Sequence, residues 1–283
     1  MKVKKIKPIV FKKGAWSKHV PFAYELVRDL NPRIIVELGT HRGESYFSMC
    51  QSVKDHVLPT VCYAVDTWKG DEHAGIYGNE IFLEVNQINE DNFSNFSYLV
   101  RSTFEDAAKN FSDDSIDLLH IDGFHTYDAV KSDFDGWIAK VAPSGIVLFH
   151  DIMVRHDDFG VWKFWEELKK DYETFEFKHG YGLGVLFKEP ERLKNNTSLM
   201  ESMLKKDDNI GLKLHEYYQD YFDELELKHK IKVLESECNS LLERCNYLEK
   251  QVLDLTKLNQ DQLHEVDKIK GHFLFPILKI LTK

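Results

Sequence analysis

Residues 33–45 read Arg-Ile-Ile-Val-Glu-Leu-Gly-Thr-His-Arg-Gly-Glu-Ser, and this stretch constrains the fold most. Its apolar residues run on instead of alternating, so Arg33 to Leu38 reads as a strand buried on both faces. Gly39 and Gly43 let the chain turn sharply and approach a ligand closely. Ser45 and the amides around it open a helix and can donate to a ligand. Glu37, at the strand's carboxyl end, would face a ligand lying over the turn, in the crevice where open α/β sheets bind. The spacing is Gly39-xxx-Gly43, not G-x-G-x-x-G, which disfavours a dinucleotide-dependent oxidoreductase. On these residues alone, an ordinary β-turn-α connection is an equal reading.

The rest of the chain repeats the pattern. Ser17 to Leu30 has helical spacing and stops at Asn31-Pro32. Strands are expected at 61–65, 98–100, 116–121 and 146–149, with helices over 44–54, 80–92, 126–141 and 160–170. A short helix ending at Asn110 follows Ser102-Thr103. Residues 173–178 and 183–187 read as an antiparallel hairpin. Strands alternating with helices before a closing hairpin predict a mostly parallel sheet covered by helices on both faces.

The 283 residues carry a net charge of −10, which argues against nucleic acid as a partner. The lysines of residues 1–15 read as a solvated lead-in. There is no signal-peptide pattern and no apolar run long enough to span a bilayer. Four cysteines in a chain this long give no disulfide framework, so a reduced, cytoplasmic protein is expected.

Composition changes after Pro190. Residues 191–223 read as a linker or helical connector. From 224 to 270 a heptad runs with Ile231, Cys238, Cys245, Val252, Asn259 and Val266 at a. Leu227, Leu234, Leu241, Leu248, Leu255, Gln262 and Ile269 occupy d. This predicts a coiled coil and a homo-oligomer, dimer or trimer, with Asn259 favouring a two-stranded parallel pairing. Residues 271–283 form an apolar tail that would cap the oligomer, dock on a partner or touch a membrane surface.

Polar residues collect at strand ends: Glu37, Asp66, Ser102, Asp122, His150 and Asp151. All would converge on one edge of a parallel sheet. Asp66 could accept from both hydroxyls of a ribose, and with Glu37 beside the glycine turn it favours a nucleoside-containing ligand. The loop from Thr67 to Gly78, with Trp68, His73 and Tyr77, has the length and glycines of a lid. Arg155, His156 and Asp157 are further acceptor-side candidates.

Four segments together carry a family resemblance. They are Val-Glu-Leu-Gly-Thr-His-Arg-Gly-Glu-Ser (36–45), Tyr-Ala-Val-Asp-Thr-Trp (63–68), His-Ile-Asp-Gly-Phe-His-Thr-Tyr (120–127), and Pro-Ser-Gly (143–145) leading to Phe-His-Asp (149–151). The set resembles the class I S-adenosylmethionine-dependent methyltransferases, and more narrowly the branch that methylates sugars or related hydroxyls in bacterial polysaccharide and natural-product pathways. The resemblance covers about residues 16–188, within a domain expected at 16–190, and implies a Rossmann-like seven-stranded sheet with a reversed terminal hairpin.

By resemblance, S-adenosylmethionine would lie with its methionine end near Glu37 and Gly39, its ribose at Asp66 and its adenine near Ser102, Thr103 and Phe104. Thr40, Gly43, Ser45, Thr67, Trp68 and Asp122 complete the expected cofactor-binding set. His41 departs from the family's usual glycine. Asp122, His150 and Asp151 match a divalent-metal site, Mg²⁺ or Mn²⁺, that would lower the pKa of an acceptor hydroxyl. His150 would ligate the softer metal or act as a base. His125, ordinarily titrating at about 6.5, is the leading general base.

The expected function is O-methylation of a sugar or glycan hydroxyl, beside glycan-assembly enzymes that could bring the protein to a membrane. The alternative is a coiled-coil scaffold or length-regulating subunit with a degenerate methyltransferase domain.

Overall fold

The computed structural model describes residues 5–11, 14–73, 75–193, 197–205 and 207–281, with side chains described through 272. In chain order the elements are α1 (Val20–Leu30), β1 (Ile34–Leu38), α2 (Glu44–His56), β2 (Val61–Asp66), β3 (Gly70–Asp71), β4 (Gly75–Ile76), α3 (Asn79–Asn92), β5 (Ser97–Arg101), α4 (Phe104–Ala108), β6 (Ile116–Ile121), α5 (Tyr127–Trp137), β7 (Val141–His150), α6 (Val161–Leu168), β8 (Glu173–Phe177), β9 (Leu183–Phe187), α7 (Ser198–Leu204) and α8 (Asp208–Leu281).

Seven strands form one sheet in the order β5-β2-β1-β6-β7-β9-β8. Pairing is parallel from β5 through β7, and β9 runs antiparallel to both of its neighbours. This is the expected Rossmann-like sheet with its terminal hairpin. The order reverses between β1 and β6, which places a crevice above their carboxyl ends. Helices α1, α2 and α3 bury one face with residues such as Phe22, Leu26, Phe47 and Val85. Helices α4, α5 and α6 bury the other with Ala107, Phe134, Trp137 and Trp165.

Local chemistry sets the boundaries. Helix α1 ends where Asn31 turns left-handed (φ 49°) before Pro32. Thr126 caps α5 by accepting from the Ala129 N–H. That helix ends at Trp137 and gives way to a 3-10 turn over Ile138–Lys140, short of the expected 141. Strand β7 starts five residues earlier than expected, at Val141. Its register against β6 jumps from Ile116↔Val141 to Leu118↔Ile146, and the expected turn at Pro143-Ser144-Gly145 becomes a bulge inside the strand. Pro143 has no N–H to give a ladder, so the irregularity falls there.

The stretch expected as a connector is packed. Leu199, Met200 and Met203 of α7 are buried, as are Tyr218, Tyr221 and Leu225 at the start of α8. Tyr217 and Tyr218 both donate to the buried Glu25 carboxylate of α1. The first compact unit therefore runs through Leu225, and the second, from Glu226, is the remainder of the α8 helix. Among the described residues, no helix is long and apolar enough to cross a membrane. The side chains of the expected apolar tail beyond 272 lie outside the described residues.

Candidate active site

A cavity of about 650 Å³ opens over the carboxyl ends of β1, β2, β6 and β7. Its floor is the glycine turn. Gly39 sits at φ +87°, and a Cβ there would meet the Asp122 carbonyl oxygen at 2.1 Å. Gly43 starts α2 at φ +79°. Both glycines are thus demanded by geometry. Thr40, Ser45, Asp66 and Thr67 line this side, with Thr103 and Phe104 farther along.

Asp66 has a second task. Its carboxylate accepts the backbone N–H groups of Thr40 and His41 at 2.9 Å each, and of Trp68 at 2.7 Å. It therefore braces the turn from the neighbouring strand. His41 takes the left-handed conformation (φ 46°) in that turn and stacks on Tyr77. Burial lowers the pKa of His41, so its ring is neutral.

Glu37 lies behind the turn, fully buried. His120 Nδ1 donates to one of its carboxylate oxygens at 2.8 Å, and Trp16 donates its indole N–H to His120 Nε2 at 3.1 Å. The other oxygen, Oε1, makes no hydrogen bond among the described residues, although the Ser45 hydroxyl is close enough to favour the charged carboxylate. Burial raises the pKa of Glu37, partly opposed by His120. Trp16, together with Gly14 and Ala15, also lines the cavity. Nothing in the sequence pattern marked these three, because they precede the first regular helix.

The opposite wall carries two acids and two imidazoles. His125 Nε2 is 3.0 Å from Asp151 Oδ2 and 3.8 Å from Asp122 Oδ1. His150 Nδ1 is 3.2 Å from Asp151 Oδ2 and 3.4 Å from Asp122 Oδ1, while its Nε2 meets the Gly180 carbonyl oxygen at 3.1 Å. Burial pulls His125 down, but bonds and charge from Asp122 and Asp151 outweigh it and raise the pKa to about 9. His150 likewise rises to about 10. Burial would raise Asp122, but His150 and His125 hold it well below the usual carboxylate range. The expectation that His125 titrates near neutrality is therefore corrected: two carboxylates keep it protonated.

Asp122, His125 and Asp151 can each offer a ligand atom within 4.8 Å of the others. The metal-type group thus contains His125 where the sequence pointed to His150, whose Nδ1 nevertheless also faces Asp122 and Asp151. Two carboxylates and one imidazole form a mixed oxygen and nitrogen set, which suits Mn²⁺ better than Mg²⁺.

Other expected site residues lie elsewhere. Trp68 is fully buried, and its indole donates to the His41 carbonyl at 3.0 Å, so it supports the turn and presents no face to a ligand. Ser102 is not among the residues lining the cavity, and the Thr103 hydroxyl caps α4 by accepting from the Asp106 N–H. Arg155 stacks over Trp162 and donates to the Ile152 carbonyl. His156 pairs with Asp157 on the surface.

His73, at the tip of the β3–β4 ribbon, reaches the acid wall. Its Nδ1 lies 3.3 Å from His125 Nδ1, and its Nε2 lies 2.7 Å from Asp158 Oδ1. With His125 protonated, His125 donates to His73, which donates to Asp158. The ring also packs between Phe124 (4.5 Å) and Phe159 (4.6 Å). Glu44 was missed too. It lines the cavity, accepts from Ser17 at 2.8 Å, and burial raises its pKa to about 7.

Residues 36–152 match the family described as "Methyltransferase domain". This part of the chain is similar to methyltransferase domains. The match spans the glycine turn, Asp66, Asp122, His125, His150 and Asp151. A solved structure titled "putative caffeoyl-CoA O-methyltransferase", from Staphylococcus aureus, shares the fold at 18% identity and a TM-score of 0.50, over 64% of this chain and 85% of that one. The uncharacterized protein y4gI of Sinorhizobium fredii is 51% identical over 174 residues. That span is 62% of this chain and 19% of y4gI, so this chain matches only a small part of that protein's length.

Proposed function

We propose that the methyltransferase domain uses S-adenosylmethionine to methylate a hydroxyl of a sugar or glycan. One observation carries this reading: a single cavity has a glycine turn on one wall and the Asp122–His125–Asp151 group on the other. Its volume of about 650 Å³ suits a nucleoside cofactor with a small acceptor beside it. Glu37 Oε1, which makes no hydrogen bond among the described residues, fits a polar ligand group at the turn.

The cofactor supplies an electrophilic methyl group on a sulfonium. The protein's residues supply placement. Backbone amides at the start of α2 hold the cofactor's polar end, since those of Gly39, Thr40, His41 and Gly43 are engaged within the fold. Phe124 lines the cavity beside the carboxylates, backed by the packed His73 and Phe159 rings, a combination that suits the faces and hydroxyls of a sugar ring. Closing that wall keeps water out and holds the hydroxyl in line. His125 is protonated at neutral pH with its two N–H groups engaged by Asp151 and His73, so without metal it holds the Asp151 carboxylate in place and becomes a base only near pH 9. A divalent ion on Asp122, His125 and Asp151 would supply a Lewis acid that lowers the hydroxyl's pKa.

The test is transfer of isotopic methyl from S-adenosylmethionine into glycans extracted from the source cell, with chelator and with added Mn²⁺. Label in sugar methyl ethers, lost on chelation and restored by Mn²⁺, supports the full reading. Label that survives chelation retains the enzyme and removes the metal. Label only in protein or in N-methyl groups overturns the sugar acceptor.

A further inference from the structure

The apolar heptad seam of α8 is exposed among the described residues. From Leu227 to Ile269 the apolar a and d residues Leu227, Ile231, Leu234, Leu241, Leu248, Val252, Leu255, Val266 and Ile269 are 46–65% exposed. A stripe this long on a lone helix needs a covering surface.

We infer that this helix pairs with the same helix of a second copy of the chain, parallel and in register, as a two-stranded coiled coil. Three observations select that occupant. First, β-branched residues at a (Ile231, Val252, Val266) with leucine at d favour two strands. Second, Asn259 at a and Gln262 at d form consecutive polar layers that match themselves only when the copies are parallel and unshifted. A shift of one heptad would put the Asn259 amide against Val252 or Val266, leaving a buried polar group unpaired at about 1–3 kcal/mol. Third, the flanking charges agree. In a parallel pair, each g residue meets the e residue five positions later on its partner. Lys230 then faces Glu235, Arg244 faces Glu249, and Glu265 faces Lys270. The other three such positions, Glu237 with Leu242, Gln251 with Thr256 and Leu258 with Leu263, contain no like charges. The inference stands independently of the methyl-transfer reading.

Cys238 and Cys245, both at a and both exposed in the single chain, then face their own copies. Sedimentation of the full reduced chain should give twice 33.2 kDa. Diamide takes two electrons and two protons from each pair of thiols that forms a disulfide. Cys238→Ser and Cys245→Ser should each still cross-link through the remaining coil thiol, and the double variant should not. A monomer mass, a three-chain mass, or a dimer in which neither single variant cross-links overturns the inference. As a second arm, Lys230→Glu/Arg244→Glu should self-associate at least tenfold more weakly than the parent. It should recover when mixed with Glu235→Lys/Glu249→Lys. No preference for the mixed pair would contradict the parallel alignment.

Discussion

The Cβ that Gly39 lacks would stand 2.1 Å from the carbonyl oxygen of Asp122. The turn after β1 and the end of β6 are thus in backbone contact, and the cofactor side of the cavity cannot move without moving the acid wall. Gly39→Ala must open this contact and also force a side chain into φ +87°. It should weaken S-adenosylmethionine binding at least tenfold, about 1.4 kcal/mol, as measured by calorimetry. Unchanged affinity would mean that the turn is not the cofactor's seat.

Trp16 donates to His120, which donates to Glu37, and all three are buried. Trp16→Phe keeps the ring bulk but strips His120 Nε2 of its donor. The expected loss is about 1–3 kcal/mol of stability, read as a lower denaturant midpoint at unchanged slope. A midpoint equal to the parent's would show that the chain of hydrogen bonds contributes nothing.

The fold was legible because the buried strands carry apolar runs and four of the parallel ones have an acid at or just beyond their carboxyl end. Glu37, Asp66, Asp122 and Asp151 all reached the expected edge of the sheet. What each acid touches was less legible. Asp66 spends its carboxylate on two amides of the turn and on that of Trp68, and Glu37 faces an imidazole. Such partners come from other strands and leave no trace in local spacing. Trp68 stood in the expected loop, but its size and apolarity drove it into the core. Trp16 carried no motif and Glu44 had no role assigned within its motif, and only the fold brings them to the cavity wall. Asp66→Ala is accordingly a poor probe of ribose binding, since it also unbraces Thr40 and His41.

His73 touches the acceptor wall through Phe124, Phe159 and His125 but none of the cofactor-side turn. His73→Ala should raise KM for the acceptor about tenfold while leaving cofactor affinity within about twofold. His73→Phe, which retains the stacking and loses both hydrogen bonds, should fall between the two. Loss of cofactor binding in His73→Ala would place the residue on the other side of the reaction.

His125 and His150 have folded pKa values of about 9 and about 10, above the ordinary 6.5 of histidine. A group whose pKa rises on folding stabilises most below its unfolded value and loses that stabilisation as pH climbs through the folded one. Stability of the metal-free protein should therefore fall from about pH 6.5 to about pH 10. Thermal melting across that range checks it, and His125→Gln should flatten part of the decline. A melting temperature that stays level or rises would contradict the charge assignment.

The most direct test of the account is a calorimetric titration of the full chain with S-adenosylmethionine. Saturable binding of one cofactor per chain, weakened in the Gly39→Ala protein, is the predicted result. A folded chain that gives no binding heat at any temperature tried, and whose melting the cofactor does not raise, would contradict the assignment of the cavity.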